Sequence, residues 1–203
     1  MENQAQSSIN FGELFIRYRE RGDVQAFERI LEYFNRPIFN YLLRMLHKRE
    51  EAEDALQEVW LRVIRQQQSY KEQGHFSSWI YRIAHNFCLD LFRKQKRTPK
   101  EEVIGNTEEN LAILDMVAAT DLTPLAEMLE KECAERLEWA VNQLPPLIRE
   151  VYLLRSVHEI PFKEIAGIQG CPLGTVLSRM HLAITKLKGL LSEEISQTSA
   201  GTA

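Results

Sequence analysis

The sequence predicts an all-α protein of two small helical domains joined by an acidic flexible linker, the second domain being a helix-turn-helix. Three observations support this prediction. Apolar residues recur at i, i+3, i+4 and i+7 in several segments that Gly and Pro separate. None of the segments shows the strict alternation that is typical of a half-buried β-strand. The acidic stretch 98–126 divides the helical segments into two groups.

The composition limits both the class of protein and the kind of partner. The chain has 203 residues and a formal net charge of −4, so contact with nucleic acid requires local cationic patches. Cys88, Cys133 and Cys171 lie far apart, which predicts reduced thiols and neither a disulfide framework nor a zinc site. No secretion signal or membrane-spanning run is recognisable. We therefore expect a cytoplasmic protein without membrane insertion, cofactor or bound metal.

Residues 1–22 are predicted to form an N-terminal extension, and residues 23–97 the first domain. Asp23 can cap the first long helix of this domain, and Pro37 should bend or split that helix. A second helix follows over about 52–65, where the apolar residues recur at amphipathic spacing. Four acids precede or open this helix, where they suit the positive end of the helix dipole.

The outward face of the 52–65 helix carries one large apolar residue, Leu61, among charged and polar side chains. Single exposed leucines are common on protein surfaces and need no explanation. Because acids lie on both sides of it, Leu61 could instead belong to a docking surface for another protein. The other members of this outward face are Asp54, Gln57, Glu58, Arg62 and Arg65.

The segment 76–97 separates an apolar stripe from a cationic face when it is arranged as a helix. Arg82, Asn86 and Arg93 fall on the polar side. Cations hold phosphates, an amide reads a base edge, and aromatic rings stack on unpaired bases. The alternative is a solvated basic surface above an aromatic core. The cationic cluster is Arg93, Lys94, Gln95, Lys96 and Arg97, and the nearby aromatic residues are Tyr70, His75, Phe76, Trp79 and Tyr81.

Residues 98–126 form the predicted linker, residues 127–192 the second domain, and residues 193–203 a polar tail. In the second domain Gly170 lies in a turn between two helices, and Pro172 opens the last helix, which together give a helix-turn-helix pattern. The predicted inward face of the last helix comprises Val176, Met180, Ala183, Ile184 and Leu187. Its predicted outward face comprises Thr175, Ser178, Arg179, Leu182 and Lys186.

Four motifs in this order carry a family resemblance. They are EAEDALQEVWLRV, FSSWIYRIAHNFCLDLFRKQKR, LPPLIREVYLL and EIAGIQGCPLGTVLSRMHLAITKL. Each motif is loose by itself, but their order and the acidic linker between the second and third are specific. Over about 20–97 and 127–191 the chain resembles a bacterial RNA polymerase sigma factor of the extracytoplasmic function (ECF) group of the sigma-70 family. The resemblance implies a region 2-like domain, a region 4-like domain and no enzymatic activity.

The resemblance also implies three partners, namely core RNA polymerase, promoter DNA at its −10 and −35 elements, and an anti-sigma factor. The surface for the polymerase clamp helices would comprise Asp54, Gln57, Glu58, Leu61 and Arg62. The −10 contacts would comprise Tyr70, Trp79, Arg82, Asn86, Arg93, Lys94, Lys96 and Arg97. The −35 contacts would comprise Pro172, Thr175, Ser178, Arg179, Leu182 and Lys186. Relatives often carry basic residues where this chain has Leu177, Leu182 and Ile184, so we expect feeble −35 binding or an unusual site.

Three other functions agree with parts of the pattern. A free-standing helix-turn-helix transcriptional regulator would bind duplex DNA without polymerase. A sigma-like decoy would dock on polymerase without opening DNA, but the cationic cluster at 93–97 argues against this function. A nuclease would need Glu53, Asp54 and Glu58 to hold a metal, although acids in the first turns of a helix are ordinary.

Overall fold

A computed structural model describes residues 9–71, 75–97 and 124–200, without the side chains of 95–97, 124–130 and 193–200. Across these residues the regular structure consists of eight α-helices and one 3₁₀ turn, with no β-strand, which confirms the all-α prediction. The helices are α1 (Phe11–Arg21), α2 (Val24–Leu46), α3 (Arg49–Arg65), α4 (Phe76–Arg97), α5 (Pro124–Asn142), α6 (Pro146–Ser156), α7 (Phe162–Gln169) and α8 (Leu173–Ala200), and the 3₁₀ turn is Gln67–Ser69. The predicted linker lies outside the described residues as far as residue 123.

The contacts divide the chain into two compact units. The first unit contains residues 1–100 together with 163–170, and the second contains residues 101–162 together with 171–203. This division groups α7 with α1 to α4, whereas the sequence analysis kept 127–192 together as one domain. The domain boundaries from the sequence therefore stay a prediction. Within the described ranges, no helix combines the length and the apolar character that crossing a membrane requires.

A charged cap begins α2. Asp23 accepts a hydrogen bond from the Ala26 N–H at 3.1 Å and pairs with Arg17 at 2.6 Å. Both interactions stabilise the ionised form, so they lower the pKa of the Asp23 carboxyl below 3.8. α2 then continues through Pro37, and the predicted split does not occur. Pro37 has no N–H, so it leaves the Tyr33 carbonyl, four residues earlier, without the usual donor of an α-helix.

Aromatic side chains join α1 to α4 in the core of the first unit. The Phe15 ring is fully buried, and its centroid lies 5.2 Å from those of Phe76 and Trp79. The Tyr70 ring lies 5.5 Å from Phe15 and 5.0 Å from Trp79. Buried aromatic side chains each remove about 150–250 Å² of surface from water, so this cluster contributes strongly to the docking of α1.

A buried arginine closes the end of α5 in the second unit. The last carbonyls of a helix have no partners within the helix. Arg149 on α6 supplies donors for the last two carbonyls of α5, with its Nε 3.2 Å from the Val141 oxygen and its Nη2 2.7 Å from the Asn142 oxygen. Its Nη2 also donates to the carbonyl of Leu144, just after the helix, at 2.9 Å. Burial lowers the pKa of Arg149 to about 10, so the guanidinium stays charged at neutral pH.

Replacing Arg149 by Met should destabilise the second unit while it keeps an unbranched apolar chain in place of the aliphatic part of the arginine. The change leaves three carbonyl oxygens without their charged donor, which should cost about 2–4 kcal/mol. Hydrogen–deuterium exchange of the α6 amides measures this free energy for the unit by itself. The control is Arg136→Met, which removes a surface pair with Glu132 and should cost less than about 0.5 kcal/mol. Equal protection in the two variants would contradict the role of Arg149.

Candidate nucleic-acid and polymerase interfaces

α4 has a buried side and an exposed polar side. Ile80 and Ala84 are fully buried against the rest of the first unit. Arg82, Asn86 and Arg93 are exposed, and they lie within about 40° of one another around the axis at 3.6 residues per turn. We call these three residues the α4 polar face. It combines two cations with one amide, which are the groups that contact phosphates and base edges.

The C-terminal end of α4 extends the positive charge. Lys94 is exposed next to Arg93, and Arg93 Nη1 lies 3.6 Å from Asp90 Oδ1. Exposed pairs of this kind contribute little, so the pair with Asp90 does not prevent Arg93 from meeting a phosphate. Lys96 and Arg97 belong to the helix, but their side chains are outside the described part of the chain.

Two residues of the predicted −10 set are buried. The Tyr70 and Trp79 side chains are only 4% and 7% exposed, because their rings pack with Phe15 and Phe76. This corrects the expectation that the two rings present their faces to unpaired bases. Removing large apolar rings from water is favourable, and α1 supplies the apolar partner that this burial requires.

The packing of α1 is the part of this site that sequence reasoning missed. Residues 1–22 were predicted to be an extension in which Phe11 to Tyr18 could start a short helix, but α1 packs against both α2 and α4. Its Arg19 guanidinium donates to the Tyr70 carbonyl at 2.9 Å, in the segment that leads from α3 to α4. The available signal was the helical spacing of Phe11, Leu14, Phe15 and Tyr18.

The predicted polymerase-binding residues divide into an exposed group and a group that joins helices. Asp54, Gln57 and Leu61 are exposed and lie within about 60° around the α3 axis. We call them the α3 outer face. Leu61 is 46% exposed although polar residues surround it. This face therefore offers an apolar contact with a polar border, which is the composition of many protein interfaces.

Arg62 and Glu58 are half-buried and connect α3 to α4. Arg62 Nε lies 3.1 Å from Glu58 Oε1, and its Nη1 lies 3.5 Å from Asp90 Oδ2. The guanidinium also lies 5.0 Å from the centroid of the Phe87 ring. These contacts engage one face and the edge of the guanidinium, so Arg62 has a structural role besides its predicted contact with polymerase.

The outward residues of α8 form a mildly cationic face. Pro172, Ser178, Leu182 and Lys186 are exposed, whereas Thr175 and Arg179 are half-buried. Arg179 Nη1 lies 3.5 Å from Cys171 Sγ in the turn before the helix. The five residues from Thr175 to Lys186 lie within about 100° of one another, so they form one face, which we call the α8 outer face.

The inward face of α8 differs from the prediction at one residue. Val176, Ala183 and Leu187 are buried as expected and Met180 is half-buried, but Ile184 is 40% exposed. The buried residues occupy a stripe only about 40° wide, and Ile184 lies about 60° or more away from it around the axis. Leu177 is exposed beside Ile184. The inward assignment of Ile184 was therefore wrong.

Solved structures with a similar fold include sigma factors bound to anti-sigma factors. The sigma factor RpoE in complex with the anti-sigma factor NepR from Bartonella quintana matches 82% of this chain and 96% of its own, with a TM-score of 0.60 and 21% identity. CnrH in complex with the cytosolic domain of CnrY matches 91% of this chain and 99% of its own, with a TM-score of 0.64 and 17% identity. At these identities the likeness establishes the fold.

Sequence comparisons identify the family. The model of sigma-70 region 2 matches residues 30–98, and that of sigma-70 region 4 matches residues 134–187. The ECF RNA polymerase sigma factor SigW of Bacillus subtilis is 32% identical over 82% of this chain and 89% of its own length. The ECF RNA polymerase sigma-E factor of Haemophilus influenzae is 28% identical over 81% and 86%. The chain therefore belongs to the ECF group of the sigma-70 family of RNA polymerase sigma factors, which are transcription initiation factors and not enzymes.

Proposed function

We propose that this protein binds core RNA polymerase in the cytoplasm, directs it to specific promoters and opens the DNA strands at the −10 element. The observation that carries the proposal is the α4 polar face, where two exposed cations flank an exposed amide on a helix whose opposite side is buried. Family membership supports polymerase and promoter DNA as the partners. The exposure of individual side chains supports the assignment of each surface to one partner.

The α4 polar face has separate tasks for its charges and its amide. Arg82 and Arg93 hold the phosphates of a separated strand. For each such contact, the logarithm of the affinity for DNA falls by about 0.7 when the salt concentration rises tenfold. The Asn86 carboxamide both donates and accepts hydrogen bonds, so it can distinguish one base edge from another. The overall charge of −4 does not prevent this contact, because screening limits the field to about 8 Å.

The α3 outer face docks on the clamp helices of the polymerase. Leu61 supplies the apolar area that association removes from water. Asp54 and Gln57 form the polar border, where they set the orientation of the partner and contribute less to the affinity. Because the central contact is apolar, binding to the polymerase should depend less on salt than binding to DNA.

The α8 outer face contacts the −35 element in the major groove. Arg179 and Lys186 are its cations, so it has few phosphate contacts and a shallow salt dependence. Exposed Leu182 can meet a thymine methyl group, and Thr175 and Ser178 can hydrogen-bond to base edges. We infer that this contact is weak and that promoter choice depends mainly on the −10 element.

An anti-sigma factor controls the protein in this proposal. The structural neighbours RpoE and CnrH were solved in complex with NepR and with the cytosolic domain of CnrY. In this chain Leu61 on α3 and Leu182 on α8 expose apolar surface in separate units. An inhibitor that covers these leucines would gain apolar burial while it blocks the proposed contacts with polymerase and DNA.

Reconstitution with core RNA polymerase tests the proposal. The protein should add new start sites on a promoter library in run-off transcription, and sequencing of the selected promoters should recover a shared −10 motif. The proposal fails if the start sites of the core enzyme stay unchanged. Tight binding of the protein alone to duplex DNA would instead support the free-standing helix-turn-helix regulator.

Asn86→Ala should reduce transcription from a duplex promoter roughly ten- to hundredfold, because the variant loses a contact with a base edge. Run-off transcription at equal holoenzyme concentration measures the effect. The matched control is Gln25→Ala, which removes an exposed amide from α2 and should leave the yield unchanged. If the two variants transcribe equally well, Asn86 does not contact the promoter.

Leu61→Ala should raise the dissociation constant for core polymerase roughly three- to tenfold, because about half of the leucine surface is available for burial in the complex. Thermal stability should hardly change, since the side chain is exposed in the free protein. Val24→Ala, at an exposed apolar position on α2, is the control and should bind normally. Competition with a fluorescent sigma factor provides the measurement, and unchanged affinity would remove Leu61 from the interface.

A further inference from the structure

Arg19 reaches from α1 to the backbone of a segment about fifty residues later. Its Nη1 donates to the Tyr70 carbonyl at 2.9 Å and approaches the Gln67 carbonyl at 3.5 Å. Its Nη2 pairs with Glu20 Oε1 at 2.9 Å. The side chain is only 16% exposed, so the guanidinium is held between α1 and the 3₁₀ turn.

The segment that Arg19 holds ends at Tyr70, six positions before α4 begins, and the Tyr70 ring lies 5.0 Å from that of Trp79 on α4. The segment runs from the end of α3 through the 3₁₀ turn to Tyr70, whose ring is buried against Phe15 of the same helix α1. α1 therefore fixes both the side chain and the carbonyl of Tyr70. Backbone carbonyls outside regular helices need partners when they lie partly inside a protein, and a charged donor is among the strongest.

We propose that Arg19 is a positioning residue for −10 recognition, because it fixes the backbone around Gln67 and Tyr70 and thereby the approach of DNA to the α4 polar face. The inference rests on the proposed function of that face. It also extends the −10 unit to α1, which lies before the region 2 match at residues 30–98. Arg19 itself touches the protein backbone and is not proposed to touch DNA.

The chemistry of arginine suits this role better than that of lysine. The guanidinium offers several N–H groups in a fixed plane, so one side chain can serve two carbonyls and a carboxylate at once. A lysine keeps the charge but has a single flexible ammonium, so it holds the same carbonyls less firmly. An alanine loses all of these contacts.

Promoter selectivity of the reconstituted holoenzyme tests the inference. The readout is the ratio of run-off yield from a preferred promoter to that from versions with one substituted −10 base, on duplex DNA and on DNA opened beforehand across the −10 element. Arg19→Ala should lower this ratio roughly tenfold on both templates, and Arg19→Lys should lower it by less. Affinity for core polymerase should stay unchanged, because the α3 outer face is separate from this contact.

The matched control is Arg21→Ala, which removes an exposed arginine from the same last turn of α1. It removes the same charge from the helix end as Arg19→Ala does. It should keep the wild-type selectivity ratio, because the contacts with the Gln67 and Tyr70 carbonyls come from Arg19. A ratio for Arg19→Ala that equals the wild-type ratio overturns the inference. If hydrogen exchange shows that Arg19→Ala loosens α1 and α4 generally, the Arg19→Lys variant provides the test. Relaxed selectivity of that variant, with wild-type protection of the amides in α1 and α4, supports the role of Arg19. Wild-type selectivity of that variant overturns it.

The proposed function and the inference fail in different ways. A wild-type holoenzyme without any −10 preference overturns both of them. A selective wild-type holoenzyme whose selectivity depends on Asn86 but not on Arg19 leaves the proposed function intact and overturns the inference alone. Relaxed selectivity in both the Asn86 variant and the Arg19 variants supports both.

Discussion

The burial of one side of α4 is the constraint on which the proposed DNA contacts depend. Ile80 and Ala84 are fully buried, and the helical period then directs Arg82, Asn86 and Arg93 to the opposite side. Rotation of α4 by one residue position would expose apolar surface and bury a guanidinium without a partner, which costs several kcal/mol. The packing that stabilises the first unit therefore also determines which residues can meet a DNA strand.

Helical periodicity predicted much of this arrangement from the sequence. The predicted segment 76–97 coincides with α4, and Leu61 is exposed among polar residues as expected. Such predictions succeed because they depend only on residues three or four positions apart. The burial of Tyr70 and Trp79 was not predictable in this way, because their partner Phe15 lies more than fifty positions earlier in the chain. Arg62 is similar, since its partners Phe87 and Asp90 belong to the next helix.

The errors at the aromatic pair Tyr70 and Trp79 and at Ile184 have related physical causes. An aromatic residue beside a basic helix fits both a stacking role and a core role, and only the presence of a facing apolar helix distinguishes them. α1 is that helix in the first unit. Ile184 illustrates the opposite case, because its spacing suits an inward face, but the neighbouring helices cover a stripe of α8 too narrow to include it. In both cases the outcome depends on where another helix packs, which local sequence patterns do not contain.

The charge distribution explains how an acidic protein can act on DNA. A net charge of −4 gives the free protein no general attraction to duplex DNA, and α8 adds few cations to its outer face. In the proposed function, attachment to polymerase through the apolar contact of the α3 outer face does not require positive charge. Attachment would bring the α4 polar face to the promoter at a high effective concentration, so a small number of phosphate contacts would suffice. The proposal therefore predicts that promoter binding depends on the polymerase.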